Sequence, residues 1–166
     1  MDGRVFPIAA ERPSTATQDR ILDAAEALFM EHGFEATSLR AITAAASVNL
    51  AAVNYHFGSK EELFEAVLTR RLDPMNQRRV ALLDRFERDP ANGPLSCERI
   101  LVALFVPALE LARNPALGGK NFLRLLGRAY ADPAPFIRRF LSEQYAQMIA
   151  RFKAAFGRAL PHLPAR

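Results

Sequence analysis

Apolar residues at helical spacing, cut by short polar or glycine-bearing stops, are the feature that most limits what this chain can fold into. Over 17–31, Ile21, Ala24, Ala25, Leu28 and Phe29 recur at i, i+3, i+4, i+7 and i+8, the single buried stripe of a helix. His32-Gly33 stops it, with Gly33 suited to a left-handed C-cap. A short helix over 38–46 follows, opened by Thr37 or Ser38, with Leu39, Ile42 and Ala45 or Ala46 inward. Ser47-Val48-Asn49 interrupts the run, and 50–56 forms another helix with Asn49 as N-cap and Phe57-Gly58 as its close. Ser59 and Glu62 then frame a capping box before Leu63, Phe64, Val67 and Leu68, which starts a helix reaching 72.

Asp73-Pro74 reads as a fresh N-cap and first helical position, so a new helix or a sharp kink is expected there, continuing to 88. The clearest loop is 89–94, DPANGP. Three more helices are predicted over 96–113, 118–130 and 134–159. The last carries Ile137, Phe140, Leu141, Tyr145, Met148, Ile149, Phe152 and Phe156 on one face. The strand signal is weak throughout. The expected fold is all-α: a three-helix head at 15–58, a connecting helix at 59–72 and a helical body at 74–166.

Several function classes are excluded on composition. One cysteine, Cys97, allows no intrachain disulfide and no Cys-rich zinc site, and it reads as a small buried hydrophobe. His32, His56 and His162 include no pair at ligand spacing on one helix, so no metal and no cofactor is expected. The longest apolar run, 100–109, falls short of the roughly 18 residues that span a bilayer. The patch at 5–10 is too short for a secretory core, so the expectation is a cytoplasmic protein without a membrane partner. Glu98, Glu110, Tyr130, Asp132 and Glu143 are scattered among arginines, the pattern of solvated ion pairs rather than of an enzyme cleft.

Net charge alone would select the wrong half for nucleic acid. Residues 1–70 hold six basic and ten acidic side chains, whereas 71–166 hold sixteen and eight. Yet no carboxylate lies between Glu35 and Glu61, and Arg40 and Lys60 stand inside that window, so a local surface there can approach phosphate. Two short helices about three residues apart, the second polar-capped, have helix-turn-helix spacing, in which the second helix enters the major groove. Ile42, Ala45, Val48 and Val53 can build the hinge, and Phe57 can close it against Leu28 and Phe34. That leaves Asn49, Ala52, Tyr55 and His56 to be presented.

The stretch ILDAAEALFMEHGFEATSLRAITAAASVNLAAVNYHFGSKEELFEAVL, 21–68, resembles the DNA-binding domain of the tetracycline-repressor (TetR/AcrR) family of bacterial transcriptional regulators. The resemblance is carried by the first helix ending in HGF, the T-S-L-R-x-I opening, the A-A-x-V turn and the aromatic-His-Phe before S-K-E-E-L. It implies a recognition helix at 50–56, a phosphate-contacting cap at Thr37 and Ser38 with Arg40 close by, and a clamp on the DNA backbone from Tyr55 and His56. Lys60 matches the family's lysine at the start of the connecting helix, where it and the free N–H groups face phosphate. Asn49 reads a base or contacts a phosphate, and the Ala52 methyl can touch a thymine methyl.

Three positions depart from the family pattern. Ser47 stands where the turn usually has Gly, Leu50 replaces a frequently polar or basic residue, and Asn54 replaces a common aromatic. With Ala51 and Ala52, this leaves few side chains to read bases, so specificity leans on shape, water, Arg12 or Arg20.

The body more distantly resembles a fatty-acid-responsive branch of the family, through NFLRLLGRAYADP and FIRRFLSEQYAQMIARFKAAFGRALPHLP. Pro107 either kinks its helix for packing or bends it to open a cavity. In the second case Phe105, Leu109, Phe122, Leu126, Tyr130 and Phe140 converge as an apolar pocket, with arginines at the rim. The family implies a homodimer on a palindromic double-stranded DNA operator, repressing until a small apolar or amphipathic effector releases it. It also implies two final helices that this chain is expected to lack, which would leave the dimer contact to 118–159. The alternative function is a helical interaction module without DNA binding.

Overall fold

A computed structural model of the chain describes residues 13–89, 93–115, 119–131 and 134–161, and every regular element among them is an α-helix. In order these are α1 (Pro13–Ala36), α2 (Leu39–Ala46), α3 (Leu50–Phe57), α4 (Lys60–Glu87), α5 (Cys97–Arg113), α6 (Gly119–Ala131) and α7 (Pro135–Ala159). Arg12, His162, Asp132 and the centre of the DPANGP segment lie outside the described residues. The chain divides into two compact units, Met1–Ala66 and Val67–Arg166.

In the first unit, Ile21, Ala25, Phe29, Ile42, Val53 and Leu63 have almost no exposure. Removing each large apolar side chain from water stabilises the fold by roughly 1.5–3 kcal/mol. Phe29, Phe34 and Phe64 form the aromatic centre, with ring centroids 5.0–6.0 Å apart and two of the three contacts edge-on. The inward residues of α2 are Ile42 and Ala46, while Ala45 is exposed. Gly33 does break α1, but with φ 82° and ψ 175° it is extended in ψ rather than left-handed, and a last turn resumes after it.

The short helices are ended by local chemistry. Ser47 sits at φ 53°, ψ 48°, the one non-glycine residue with positive φ among the described residues. Its N–H donates to the Ala44 carbonyl and that of Val48 to Thr43, the paired bonds of a Schellman C-cap. Gly58 ends α3 at φ 75°, and a β-carbon there would collide with Glu62 Oε2. That carboxylate is held by the capping box: it accepts from the Ser59 N–H at 2.9 Å, while Ser59 Oγ accepts from the Glu62 N–H at 3.1 Å.

In the second unit the continuity of α4 corrects the sequence reading, because neither a new helix nor a cap occurs at Asp73-Pro74. The helix passes through Pro74. Proline there removes the N–H that would reach the Arg70 carbonyl and crowds that carbonyl with its ring, and the Asp73 carboxylate accepts from Gln144 Nε2 on α7 instead of capping a turn. Further along α4, Asp84 and Glu87 both take the Arg151 guanidinium, and Glu87 also takes that of Arg158. Arg79 Nε donates at 2.9 Å to the Leu104 carbonyl, three residues before Pro107, where the proline loosens the helix ladder of α5.

Two local tests follow from these ends. Ser47→Gly relieves a left-handed Cβ and is expected to be neutral or stabilising by up to about 1 kcal/mol, whereas Gly58→Ala should cost about 1–2 kcal/mol. Urea denaturation of the two variants measures both. The arginine bonds also set a pH dependence, since the guanidinium of Arg151 holds the Glu87 carboxyl below its ordinary value of 4.5. A lowered native pKa means stability that is present above that ordinary value and lost as the pH falls through the lowered one. Glu87→Gln should therefore cost up to about 1 kcal/mol at neutral pH, less in high salt, and converge on the parent in acid.

Candidate nucleic-acid interface

The α2–turn–α3 unit presents its polar groups around a first turn with no acid in it. Ser38 is the N-cap of α2, its Oγ accepting from the Ala41 N–H at 3.1 Å, which leaves the hydroxyl proton free to donate outward. The N–H groups of Leu39 and Arg40 precede the first intrahelical bond, and the Arg40 side chain is exposed beside them. Helix dipole and hydroxyl act at one end, with the exposed Arg40 in the first turn, an arrangement that favours an anion.

Thr37, expected to share in that cap, does not reach it. Its side chain is 2% exposed, and its hydroxyl is shared between the carbonyls of Gly33 at 2.7 Å and Leu28 at 3.2 Å. The hydroxyl satisfies acceptors where α1 breaks, so it is removed from the phosphate-contacting set. Sequence reasoning missed this role because a threonine before a serine cap looks like a second cap; the signal lay in Gly33, four residues back, whose break leaves carbonyls to be satisfied.

On α3, Asn49 Oδ1 accepts from the Ala52 N–H at 2.8 Å, which leaves the amide NH₂ to donate elsewhere. Leu50 and Asn54 are exposed, Ala52 and His56 half-buried, and Tyr55 is 84% exposed. The Tyr55 ring meets that of His56 edge-on at 5.1 Å. The inner face is Val53 and Phe57.

Lys60 is held more firmly than a free surface lysine. Its Nζ lies 4.3 Å from the centroid of the Phe34 ring and donates to the Glu35 carbonyl at 3.4 Å, at the C-terminal end of α1. The start of α4 also carries Glu61 and Glu62, whereas the first turns of α2 and α3 carry no acid. Compared with the start of α4, that of α2 is the better anion site.

The expected apolar pocket is corrected in the second unit. Phe122 and Leu126 are core residues and Phe140 is half-buried, but Phe105 and Leu109 are 56% and 54% exposed and Tyr130 is also exposed, so the six do not converge. The inward face of α5 is Ile100, Ala103, Pro107 and Leu111, which turns 105 and 109 to the opposite side. Tyr130 instead stands 6.3 Å from the Tyr145 ring, and burial followed by the neighbouring phenol pushes the Tyr145 hydroxyl well above the ordinary tyrosine range. A groove of about 620 Å³ between α4 and α7 is lined by the polar Asp73, Asn76, Gln77, Asp84, Glu143 and Gln144 together with the apolar Val80, Ala81 and Met148. Among the described residues no group of three His, Cys, Asp or Glu side chains is placed to hold a metal ion.

This geometry has known counterparts. Residues 21–67 match the model of the bacterial regulatory proteins of the tetR family, and 102–166 match that of the tetracyclin repressor-like C-terminal domain. The HTH-type transcriptional repressor ComR of Escherichia coli is 42% identical over 62 residues, which are 37% of this chain and 30% of that protein. AcnR of Corynebacterium glutamicum, also an HTH-type transcriptional repressor, is 37% identical over 36% of this chain and 31% of its own. The chain thus spans under a third of these curated relatives.

Among solved structures, SmeT, the repressor of the Stenotrophomonas maltophilia multidrug efflux pump SmeDEF, aligns with a TM-score of 0.66 and 25% identity over 90% of this chain and 66% of its own. SmeT is also known in complex with triclosan. NalD, the secondary repressor of the MexAB-OprM pump in Pseudomonas aeruginosa, aligns with a TM-score of 0.54 and 26% identity over 89% and 69%. An all-α chain with a helix-turn-helix at its head and a helical body defines a class of regulatory protein. The chain belongs to the tetR family of bacterial regulatory proteins.

Lys60 and Arg40 should differ in stability. Lys60→Ala is expected to cost about 0.5–1 kcal/mol through the lost ring contact, while Arg40→Ala stays within about 0.5 kcal/mol of the parent. Thermal denaturation of both variants distinguishes a lysine that braces the head from an arginine that only faces solvent.

Proposed function

We propose that this chain is the DNA-binding and effector-sensing part of a cytoplasmic transcriptional repressor. It acts as a homodimer on a palindromic double-stranded operator and is released by a small apolar or amphipathic effector. The observation that carries the reading is the exposed α2–α3 surface: an acid-free helix start with Ser38 and Arg40, next to a second helix that presents Asn49, Leu50, Asn54 and Tyr55. Ser38, Arg40 and the free N–H groups take phosphates and fix the register. Tyr55 and His56 clamp the backbone at the far end of α3, and Ala52 and the Asn49 amide meet bases. Two copies of α3 about 34–36 Å apart match successive major grooves. The triclosan complex of SmeT supports a small apolar effector as the releasing signal.

A second reading, a helical interaction module, is favoured by the outward strip Leu101, Val102, Phe105 and Leu109 on α5. Fluorescence anisotropy with DNA from upstream of the protein's own gene decides between them. Specific, salt-sensitive binding is expected. Tyr55→Ala should lower affinity by about tenfold or more, and Arg40→Ala should lower it on any sequence while reducing the salt slope by about one. Equal affinity and slope in parent and both variants would sink the DNA reading.

A further inference from the structure

The outward face of α5 is apolar where a solvent-facing helix is ordinarily polar. Leu101, Val102, Phe105 and Leu109 recur on it at helical spacing, each more than a third exposed, while Ile100, Ala103, Pro107 and Leu111 bury the opposite face. Together the four leave an apolar strip on the order of a few hundred Å², the size at which a patch on a protein surface marks an interaction site. The strip has a charge at each end. Glu98 stands in the first turn of α5, one turn before Val102, and Arg113 in the last, one turn after Leu109. Both are exposed, and neither holds an ion pair among the described residues.

From this layout we infer that α5 pairs with α5 of a second copy of this chain, antiparallel about a two-fold axis beside Phe105. In that register Val102 faces the partner's Leu109 and Glu98 faces the partner's Arg113, and symmetry makes each contact twice. A parallel pair sets Glu98 against Glu98 and Arg113 against Arg113 and lays the two helix dipoles side by side in one direction, so charge selects the antiparallel one. The aromatic ring at the centre and the charges at the rim have the layout of an interface core and its border. No foreign sequence is needed to match both ends, because the strip is complementary to its own copy. Area sets the strength. Two such faces cover on the order of 1,000 Å² in total, the lower end of a specific interface, so association in the micromolar range is expected rather than an obligate dimer. This gives the homodimer proposed above a contact on α5 rather than over 118–159. The pairing stands on the strip itself; its use on an operator rests on the regulator reading.

Sedimentation equilibrium of the chain from about 1 to 500 µM, in about 0.1 M salt, tests the pairing. A reversible monomer–dimer equilibrium with a micromolar Kd is expected, with no larger species. Phe105→Glu should weaken it at least about thirtyfold by placing a carboxylate at the centre of the interface, and at so exposed a position it should leave the helix content unchanged. Glu98→Arg and Arg113→Glu should each weaken it about three- to tenfold. The double variant should return to within about threefold of the parent, since exchanging the two charges keeps every cross-pair. A chain that stays monomeric to about 500 µM, a dimer untouched by Phe105→Glu, association that runs on past the dimer, or charge reversals that do not weaken it or are not rescued by the exchange overturns the assignment. DNA anisotropy on the same samples separates the claims. A dimer through α5 that does not bind DNA keeps the pairing and removes its operator role, while specific DNA binding by a chain that never pairs through α5 overturns the pairing and leaves the regulator reading intact.

Discussion

Every helix end leaves backbone N–H and C=O groups that its own ladder cannot satisfy, and the first unit contains several such ends within about fifty residues of chain. Its architecture depends on how each end is closed. Thr37 supplies a hydroxyl where Gly33 breaks α1, Ser38 and Asn49 cap α2 and α3, Ser47 turns left-handed between them, and the Ser59–Glu62 box opens α4. These closures also decide what remains to meet a ligand. Oxygens at the caps are engaged by the chain, while the Ser38 hydroxyl proton, the Asn49 amide and the first N–H groups of α2 remain to donate.

Such closures were legible in the sequence because they are local. A polar residue before an apolar period, or a glycine after one, carries its meaning within four positions, and the expected ends of α2, α3, α5 and α7 fall within a residue or two of the observed ones. Tertiary choices were less legible. Residues 100–109 are apolar all round, so two phases of the same helical period fit α5 equally well, and only the packing of Ile100, Ala103, Pro107 and Leu111 selects one. The other phase is the one that would turn Phe105 and Leu109 into a pocket. Of the two alternatives at Asp73-Pro74, a new helix does not start there, and for a different reason. A local start signal was overruled by Gln144, seventy-one residues away, which takes the carboxylate that would have capped.

The second unit illustrates why net charge is a poor guide to a nucleic-acid surface. It holds most of the chain's arginines, yet several of them are used inside the protein: Arg79 on a helix carbonyl, Arg151 and Arg158 on Asp84 and Glu87, and Arg99 on Asp89 and over the Phe86 ring. An arginine already matched to a carboxylate adds little to the field that draws in a phosphate. The first unit is acidic in total but has an acid-free patch where helix dipole, hydroxyl and one guanidinium coincide. Placement there outweighs count.

The same economy of groups bears on how such a surface would discriminate between sequences. Ala51, Ala52 and Leu50 side chains offer no hydrogen bonds, and the Asn49 carboxamide is tied to the Ala52 N–H, which limits how it can turn toward a base edge. What remains are the Asn49 amide, the exposed Asn54 carboxamide and the Tyr55 ring. Few base contacts make discrimination depend on how rigidly the backbone contacts hold α3 against the duplex and on what it costs a given sequence to take the required shape. The rigidity of the turn at Ser47, and of the Gly58–Glu62 junction that ends α3, then bears on selectivity as well as on stability, because a looser turn would let the few bonds that α3 makes form on more than one register.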